Sequence, residues 1–301
     1  WRSRASIPPP FPHRGAAGGR LLERRSPSLR GHGKPLQAAV AAVSSDGRVL
    51  ALTGSREGLA GEFNRATAAR RPIGSLVKPF VVAAALEAGR SLDEVVDDRP
   101  LTVPSAGGEW SPRNSDGTFR GPVTVRESLL QSLNVPIVRL GLAGWLPRIE
   151  ATLRRVGLGP PGGRPAILLG AFEASPIEAA RAYATLLAGG VTSDLALVRG
   201  ARAGAHASIG RAASDAVLGA LLEVPQRGTA SSLSGRTPGW LAAKTGTTDD
   251  RRDSWFVALR PRFVTVVWVG FDDNRETGLY GATGALEGWR EIDERLPPRW
   301  R

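Results

Sequence analysis

The chain has 301 residues, 42% of them hydrophobic, which suits one large domain or two small ones with a real core. Its formal net charge of +12 raises the question of an anionic partner, but only 6% of its residues are aromatic and its arginines are scattered, so no specific nucleic acid is expected. The absence of cysteine excludes disulfides and thiolate zinc sites. No apolar run reaches the roughly 18 residues of a membrane span.

The beginning of the chain differs in composition from the rest. Residues 1–36 are rich in proline, arginine, serine and glycine and show little periodicity, so we predict a linker or a poorly ordered segment. We predict that residues 37–301 form one domain. At its start, residues 38–43 and 48–53 flank an Asp46-Gly47 dipeptide, which is the pattern of a β-hairpin.

The middle of the chain is predicted to be helical. Its helical stretches are residues 80–88 ending at Gly89, two helices opened by capping boxes at residues 124–127 and 175–178, with the first running toward Asn134, and residues 212–224, which end before Pro225. Strands rich in β-branched and aromatic residues return at residues 240–245, 254–259 and 263–271.

These elements predict an α/β fold of the α+β type. The sheet is antiparallel, has about five strands and is built from residues 37–54 and 239–271. Helices flank the sheet, and the helical region 75–235 is inserted between the two groups of strands.

Ser75 and Lys78 stand three residues apart at the start of the first predicted helix. At that spacing the hydroxyl and the amine share one helix face. A serine hydroxyl is a weak nucleophile that needs an adjacent base, and a desolvated lysine that has lost its proton can be that base. Alone, the pattern also fits an ordinary helix start.

Lysine is rare in this chain, which strengthens the case for Lys78. Only three of the 40 basic residues are lysines, Lys34, Lys78 and Lys244, and the others are arginines. Arginine cannot be deprotonated in a protein, whereas a buried lysine shifts its pKa readily. Two of the three lysines, Lys78 and Lys244, lie in stretches that other features also indicate to be catalytic. Their retention as lysine therefore suggests that an amine able to lose its proton is needed there.

Two further clusters complete the pattern. Ser132 supplies a second hydroxyl for relaying a proton, and Asn134 can accept from Lys78 while donating to a substrate carbonyl. The run Lys-Thr-Gly-Thr-Thr at residues 244–248 lies on the first late strand. Its hydroxyls and amine suit a carboxylate, its glycine permits close approach of a substrate backbone, and an exposed strand edge suits an extended peptide.

The ordered trio Ser-x-x-Lys, Ser-x-Asn and Lys-Thr-Gly is similar to the signature of penicillin-binding proteins and β-lactamases. Over residues 37–289 the chain most closely resembles the transpeptidase domain of bifunctional class A penicillin-binding proteins of the 1B type. Further segments that carry this resemblance are residues 63–67, 110–114, 226–229, 253–256, 268–270 and 280–285. We assign no chemistry to residues 281–284.

The resemblance implies a role for each residue of the trio. Ser75 is expected to be the acylated nucleophile and Lys78 the base that takes its proton. Ser132 and Lys244 are expected to pass a proton to the leaving D-alanine, and Asn134 to orient the substrate. The expected substrate-binding residues are Thr245, Gly246, Thr247 and Thr248, with Thr245 and Thr247 holding the terminal carboxylate and the N–H groups of Ser75 and Thr247 forming an oxyanion hole.

The implied activity is that of a serine-type D,D-transpeptidase. The D-Ala-D-Ala end of a peptidoglycan stem peptide acylates Ser75, and an amine from a neighbouring strand then forms the cross-link; β-lactams acylate the same serine. No cofactor or metal is expected. The sequence lacks a glycosyltransferase signature, begins at Trp1 and contains no methionine. We therefore expect a glycosyltransferase domain and a membrane anchor upstream, and a location at the periplasmic face of the bacterial inner membrane.

Several alternatives remain open at this point. A D,D-carboxypeptidase or a β-lactamase uses the same scaffold, with water in place of the acceptor amine, and a β-lactam sensor is acylated without turnover. Glu173 is the candidate for a deacylating glutamate, although the resemblance places it in a structural stretch. A Ser-His-Asp triad is disfavoured because no histidine (His13, His32 or His206) neighbours a cluster. The acidic pairs at 249–250 and 272–273 are interpreted as turn residues.

Overall fold

The computed structural model describes residues 35–55, 63–105, 108–160, 162–197, 204–297 and 300. Its strands are β1 (Gln37–Ser44), β2 (Val49–Thr53), β3 (Arg71–Pro72), β4 (Val95–Asp98), β5 (Val103–Ser105), β6 (Gly108–Trp110), β7 (Gly121–Thr124), β8 (Glu173–Ala174), β9 (Val191–Ser193), β10 (Ala205–Ala207), β11 (Ala242–Thr247), β12 (Asp253–Arg260) and β13 (Phe263–Gly270). Its α-helices are α1 (Lys78–Glu87), α2 (Val125–Leu130), α3 (Val135–Leu142), α4 (Leu146–Arg155), α5 (Pro176–Leu187), α6 (Arg211–Arg227) and α7 (Ala285–Glu294).

Five antiparallel strands form the main sheet, in the order β11-β12-β13-β1-β2. The first and last strands of the domain meet at its centre, where Ala39 of β1 lies opposite Trp268 of β13. This arrangement confirms the predicted fold class. Of the predicted linker at residues 1–36, only residues 35 and 36 are described, and Leu36 is already buried.

Both faces of the sheet are covered. Every residue of β12 and β13 is buried, and because side chains alternate between the faces of a strand, helices must pack on both sides. Helices α5 and α7 both contact β13. On the α7 side, the rings of Phe256 and Trp289 lie 5.3 Å apart. The apolar, β-branched sequences of these strands are therefore those of central strands.

A buried ion pair ties α7 to the sheet. The guanidinium of Arg260, which is 1% exposed, donates to both carboxylate oxygens of Asp293 at 2.8 and 2.7 Å. It also donates to the carbonyl of Pro238 at 2.8 Å, on the segment leading into β11. Removing one partner of such a pair leaves an uncompensated buried charge, so the pair fixes how the C-terminal helix docks.

Helix α1 is the centre of the helical region. Its sequence is apolar on all sides, which is typical of a fully buried helix, and it packs against α3, α4 and α6. It ends near Gly89, whose φ of +88° is the left-handed conformation that glycine adopts readily. The predicted buried helix with a glycine stop is confirmed.

The two predicted capping boxes differ in outcome. At the start of α5, the Ser175 hydroxyl accepts from the N–H of Glu178, and the Glu178 carboxylate accepts from the N–H of Ser175. At the start of α2, the Thr124 hydroxyl accepts from the N–H of Glu127 at 3.1 Å. The Glu127 carboxylate instead binds the guanidinium of Arg227 at 2.7 Å. At the start of α2, a long-range ion pair thus replaces the hydrogen bond that Glu127 would make in a complete capping box.

Two predicted helix ends are wrong. Helix α6 continues through Pro225 to Arg227. Proline there removes one hydrogen bond in the last turn, but Val224 and Pro225 are both buried, so packing offsets the loss. Helix α2 ends at Leu130 and does not reach Asn134; Ser132 has a φ of 55°, which a helix cannot contain.

Candidate active site

The three sequence motifs meet at one cavity of about 720 Å³. Its lining includes Ser75, Ser132, Asn134, Thr245 and Thr247. These residues come from the turn before α1, the link between α2 and α3, and strand β11. The structure thus brings together side chains that lie far apart in the sequence.

The turn that carries Ser75 approaches β11 closely. Ser75 lies in a 3₁₀ turn, Gly74–Val77, that leads directly into α1 at Lys78. Gly74 has a φ of +53°, and a Cβ on it would lie 2.7 Å from the carbonyl oxygen of Thr247. Only glycine fits there. On the core side, the hydroxyl of Tyr183 donates to the carbonyl of Leu76 at 2.8 Å, which holds the same turn from below.

The amine of Lys78 is fully buried beneath the cavity. Its Nζ donates to the carbonyl oxygen of Ser132 at 2.5 Å and to Oδ1 of Asn134 at 2.6 Å. It also lies 3.3 Å from Oγ of Ser132. The predicted hydrogen bond from Lys78 to Asn134 is therefore present.

The amine of Lys244 reaches the same serine from the opposite wall. Lys244 is also fully buried, and its Nζ donates to Oγ of Ser132 at 2.8 Å and to the carbonyl of Thr245 at 2.7 Å. The left-handed backbone of Ser132 presents its hydroxyl to both lysines. A non-glycine residue in that conformation costs free energy and is often found at functional sites.

Burial lowers the pKa of both amines. Desolvation lowers the pKa of Lys244 to about 7. Desolvation, followed by the charge of Lys244, lowers the pKa of Lys78 well below its ordinary value. Two amines that bond to one serine cannot both stay charged in a dry site without an anion beside them. The arrangement thus favours a neutral amine at neutral pH.

The hydroxyl of Ser75 is partly exposed and lines the cavity. It has no hydrogen-bond partner in the part of the chain that the structure describes. The amine of Lys78 donates hydrogen bonds to Ser132 and Asn134 and none to Ser75. Catalytic hydrogen bonds are often long or unformed before substrate binds. The missing hydrogen bond between Ser75 and Lys78 is therefore compatible with activation of Ser75 once a substrate occupies the cavity.

Strand β11 lies at the edge of the main sheet. Strand β12 pairs with it on one side, with Gly246 opposite Trp255, and no described strand pairs with its other side. A side chain on Gly246 would lie 3.0 Å from Leu76, behind the Ser75 turn. The edge of β11 next to the Ser75 turn is thus unpaired among the described strands, and peptide binding there stays a prediction.

Comparison with known proteins agrees with this geometry. The family profile described as "Penicillin binding protein transpeptidase domain" matches residues 37–282. The chain belongs to this family. The resemblance inferred from the three motifs is confirmed.

Relatives of the transpeptidase domain include two larger proteins. Penicillin-binding protein 1B of Vibrio cholerae is 37% identical over 291 residues, which cover 89% of this chain and 38% of the relative. Penicillin-binding protein 1B of Escherichia coli is 36% identical over 273 residues, covering 83% of this chain and 32% of the relative. The chain therefore spans well under half the length of these relatives.

Solved structures share the fold of this transpeptidase domain. Penicillin-binding protein 1A from Haemophilus influenzae superposes with a TM-score of 0.79 at 26% identity, over 86% of this chain and 47% of that one. The PonA1 protein of Mycobacterium tuberculosis, solved in complex with penicillin V, superposes with a TM-score of 0.76 at 26% identity, over 96% of this chain and 85% of that one.

A buried polar group behind Asn134 was not predicted. The side-chain oxygen of Asn114 accepts from the N–H of Asn134 at 2.8 Å, and its amide nitrogen donates to both oxygens of the fully buried Asp98. The amide of Asn134 also donates to the carbonyl of Arg113 at 2.6 Å. Asn114 belongs to the quoted segment 110–114, so the resemblance was the available signal, whereas Asp98 had none.

The end of β11 is held by residues without an assigned role in the sequence. The Thr248 hydroxyl donates to the carboxylate of Asp253 at 3.0 Å, and the N–H of Gly281 donates to the Thr247 hydroxyl at 3.0 Å. The hydroxyls of Thr229 and Thr245 lie 2.6 Å apart. All three partners lie in segments that carry the family resemblance, which would have been the only signal.

Glu173 and His206 do not line the cavity, whereas one of the two acidic pairs does. Glu173 is exposed on β8 and does not line the cavity. His206 is exposed on β10, with its ring bonded to the carbonyl of Arg155. His13 and His32 fall outside the described residues. The acidic pairs differ, since Asp249 and Asp250 line the cavity as exposed turn residues, whereas Asp272 forms a bidentate ion pair with Arg65.

Within the described ranges, no group of three or more histidine, cysteine, aspartate or glutamate side chains is placed to hold a metal ion. Among the same residues, no helix combines the length and apolarity required to cross a bilayer.

Proposed function

We propose that this domain is a serine-type D,D-transpeptidase that cross-links peptidoglycan stem peptides through an acyl-enzyme on Ser75. The observation that carries the proposal is the pair of buried amines, Lys78 and Lys244, that both contact Oγ of Ser132 next to a cavity lined by Ser75. A neutral amine at the base of this cavity can supply the base that a serine nucleophile needs.

In the proposed acylation step, Lys78 takes the hydroxyl proton of Ser75. The serine oxygen bonds to the carbonyl carbon of the penultimate D-alanine, and the N–H groups of Ser75 and Thr247 stabilise the resulting oxyanion. The C–N bond then breaks. Ser132 gives its hydroxyl proton to the leaving amine, and the ammonium of Lys244 replaces that proton. The product is an ester on Ser75 and free D-alanine.

In the second step, an amine of a neighbouring stem peptide attacks the ester carbonyl. The acceptor nitrogen loses a proton to the Ser132–Lys244 pair, and the serine oxygen leaves with the proton held by Lys78. Asn134 orients the donor peptide, and the run Thr245, Gly246, Thr247 and Thr248 binds it along the β11 edge, with hydroxyls for its terminal carboxylate. A β-lactam acylates Ser75 in the same first step, but the amine released when its ring opens stays attached to the acyl group.

The wider setting is also a proposal. The relatives are penicillin-binding proteins 1B of which this chain covers only 38% and 32%. We place the domain at the periplasmic face of the inner membrane, in a longer protein with a membrane anchor and a glycosyltransferase domain upstream. The domain itself is proposed as residues 37–301, preceded by a linker at 1–36.

Mass spectrometry after exposure to penicillin tests the proposal. We expect one penicillin added per chain, on Ser75, and no addition to Ser75→Ala. The matched control is Ser115→Ala, because Ser115 is an exposed serine that lines the same cavity and has no proposed chemistry. Stoichiometric addition to Ser75→Ala would contradict the assignment of the nucleophile.

The lifetime of the adduct and the products from a pentapeptide separate the alternatives. A long-lived adduct is expected, whereas loss within seconds indicates a β-lactamase. Release of D-alanine from a D-Ala-D-Ala pentapeptide excludes a sensor. Formation of a cross-linked dimer when an acceptor amine is added identifies a transpeptidase, and hydrolysis alone identifies a carboxypeptidase.

A further inference from the structure

Thr229 lies outside the three motifs but on the wall of the same cavity. It follows helix α6, and its N–H donates to the carbonyl of Leu130 at 3.2 Å, at the end of α2. A Cβ on the preceding Gly228 would lie 2.7 Å from that same carbonyl, so glycine permits the approach. Thr229 is thus held next to the segment that carries Ser132.

The hydroxyls of Thr229 and Thr245 share one hydrogen bond of 2.6 Å. Each hydroxyl has one proton and two lone pairs, so the pair has two protons and uses one of them between its members. Neither hydroxyl has another acceptor among the described residues. Because both side chains line the cavity, the second proton is available to whatever occupies the cavity.

The hydroxyl of Thr247 also has a proton that it can donate into the cavity. Its hydroxyl oxygen accepts from the N–H of Gly281 at 3.0 Å, so its own proton is free to be donated. Thr245 and Thr247 are two residues apart on one strand and therefore face the same side. The wall presents two hydroxyl donors, each with its oxygen already anchored, and a carboxylate has two oxygens to receive them.

We propose that Thr229 is a specificity-determining residue that makes the site select a donor substrate with a free terminal carboxylate. It does so as the partner of Thr245: either it directs the Thr245 proton toward the carboxylate, or it donates its own. The inference rests on the proposed function, since it concerns the same donor substrate. A hydrogen bond to a charged acceptor is roughly twice as strong as one between neutral groups, which creates the selectivity.

Two acyl-D-alanyl thioesters test this selectivity. In one the leaving group is thioglycolate, which carries a carboxylate, and in the other it is ethanethiol, which carries no polar group. In both, the Ser75 oxygen–carbonyl bond forms, the C–S bond breaks and the thiol leaves with a proton. The measured quantity is kcat/KM for thiol release by each variant.

Thr229→Val keeps the shape of the side chain and removes the hydroxyl. We expect kcat/KM for the thioglycolate ester to fall about tenfold or more, and for the ethyl thioester to change less than about twofold. Thr229→Ser keeps the hydroxyl and should retain the preference. Thr237→Val is the matched control, because Thr237 lies on the connection between α6 and β11 but does not line the cavity.

Two results would overturn the inference: an equal loss for both thioesters, which indicates a merely structural role, or no loss with Thr229→Val. If Thr229→Val does not fold, Thr229→Ala is tested in its place, and its kcat/KM for each thioester is compared with that of the unsubstituted protein. Failure of the proposed function has a different signature, since the unsubstituted protein would then form no acyl-enzyme on Ser75 with either thioester.

Discussion

Lys244 and Ser132, 112 residues apart in the sequence, meet in a hydrogen bond of 2.8 Å from Nζ to Oγ. The amine of Lys78 lies 3.3 Å from the same oxygen. One hydroxyl therefore stands between two buried amines whose pKa values are both lowered. Through this hydroxyl a proton can pass between the two amines, which is the relay that the proposed acyl transfer needs.

Lys78→Arg tests whether Lys78 acts as a base or only as a cation. Arginine can supply a cation but cannot lose its proton, so we expect the rate constant for acylation by a fluorescent penicillin to fall about 10²- to 10⁴-fold. Arg113→Lys, at an exposed cavity residue, is the control and should acylate normally. A folded Lys78→Arg protein that acylates within threefold of the original would exclude the role of base.

The free energy of unfolding is expected to rise with pH between about 7 and 10. Burial lowers the pKa of Lys244 to about 7, while an unfolded lysine titrates near 10.4. Over this range the unfolded chain binds more protons than the folded one, so raising the pH favours folding. The contribution of Lys244 is full above its unfolded pKa and is lost as the pH falls to about 7.

Urea unfolding at a series of pH values measures this effect. Lys244→Met removes the titrating group and should flatten the rise, although Lys78, whose pKa is also lowered, still contributes. Burial raises the pKa of Tyr183 well above its ordinary value, which reverses the sign above about pH 10. A free energy of unfolding that is flat or falls from pH 7 to 10 would contradict the burial of neutral lysines.

Asp253→Asn should disturb the end of β11. Asp253 is 1% exposed, and its two oxygens accept from Nε1 of Trp268 at 2.8 Å and from the hydroxyl of Thr248 at 3.0 Å. Asparagine has a single acceptor oxygen, so one donor is left unpaired, which costs about 1–3 kcal/mol of stability. We also expect penicillin acylation to slow about tenfold, because the hydrogen bond that holds Thr248, the residue next to Thr247, is weakened.

The matched control for this substitution is Asp249→Asn, at an exposed aspartate on the rim of the same cavity. It should change neither the melting temperature nor the acylation rate appreciably. If Asp253→Asn lowers the melting temperature but leaves acylation intact, Asp253 supports the fold and not the site.

Asp293→Asn should destabilise the domain without altering its chemistry. Neither Asp293 nor Arg260 lines the cavity, and both are buried. Leaving the Arg260 charge unpaired costs about 3–5 kcal/mol, measurable by urea unfolding. Replacing both residues by leucine should recover much of that loss. Normal stability of Asp293→Asn would show that the ion pair does not hold α7.

Much of the fold followed from local patterns. The Asp46-Gly47 hairpin pattern and the stretches rich in β-branched and aromatic residues identified the strands of the main sheet, and the apolar run after Lys78 identified α1. Helix ends were less predictable, because Pro225 is tolerated by burial and Glu127 is taken by Arg227, 100 residues away. Local propensity cannot anticipate a partner that only folding supplies.

In the candidate site too, the local sequence predicted some residues, and tertiary contacts revealed the others. The residue types at positions 75, 78, 132, 134 and 244–248, in that order, were enough to name the family, and they suggested the chemistry that we propose. The supporting contacts were not apparent, since Asn114, Thr229 and Asp253 act through hydrogen bonds that span 15 to 20 residues. Their segments carry the family resemblance, but nothing in the local sequence indicates which partners these three side chains bind.

The amino-acid sequence alone determined which groups are available: two serine hydroxyls, two amines that can lose a proton, an amide and a run of threonines. Tertiary structure alone decided their state. Removal of both lysines from water lowers their pKa values, and the left-handed turn at Ser132 places one hydroxyl between them. Charge state and proton path depend on desolvation and distance, and both arise only when remote segments pack together.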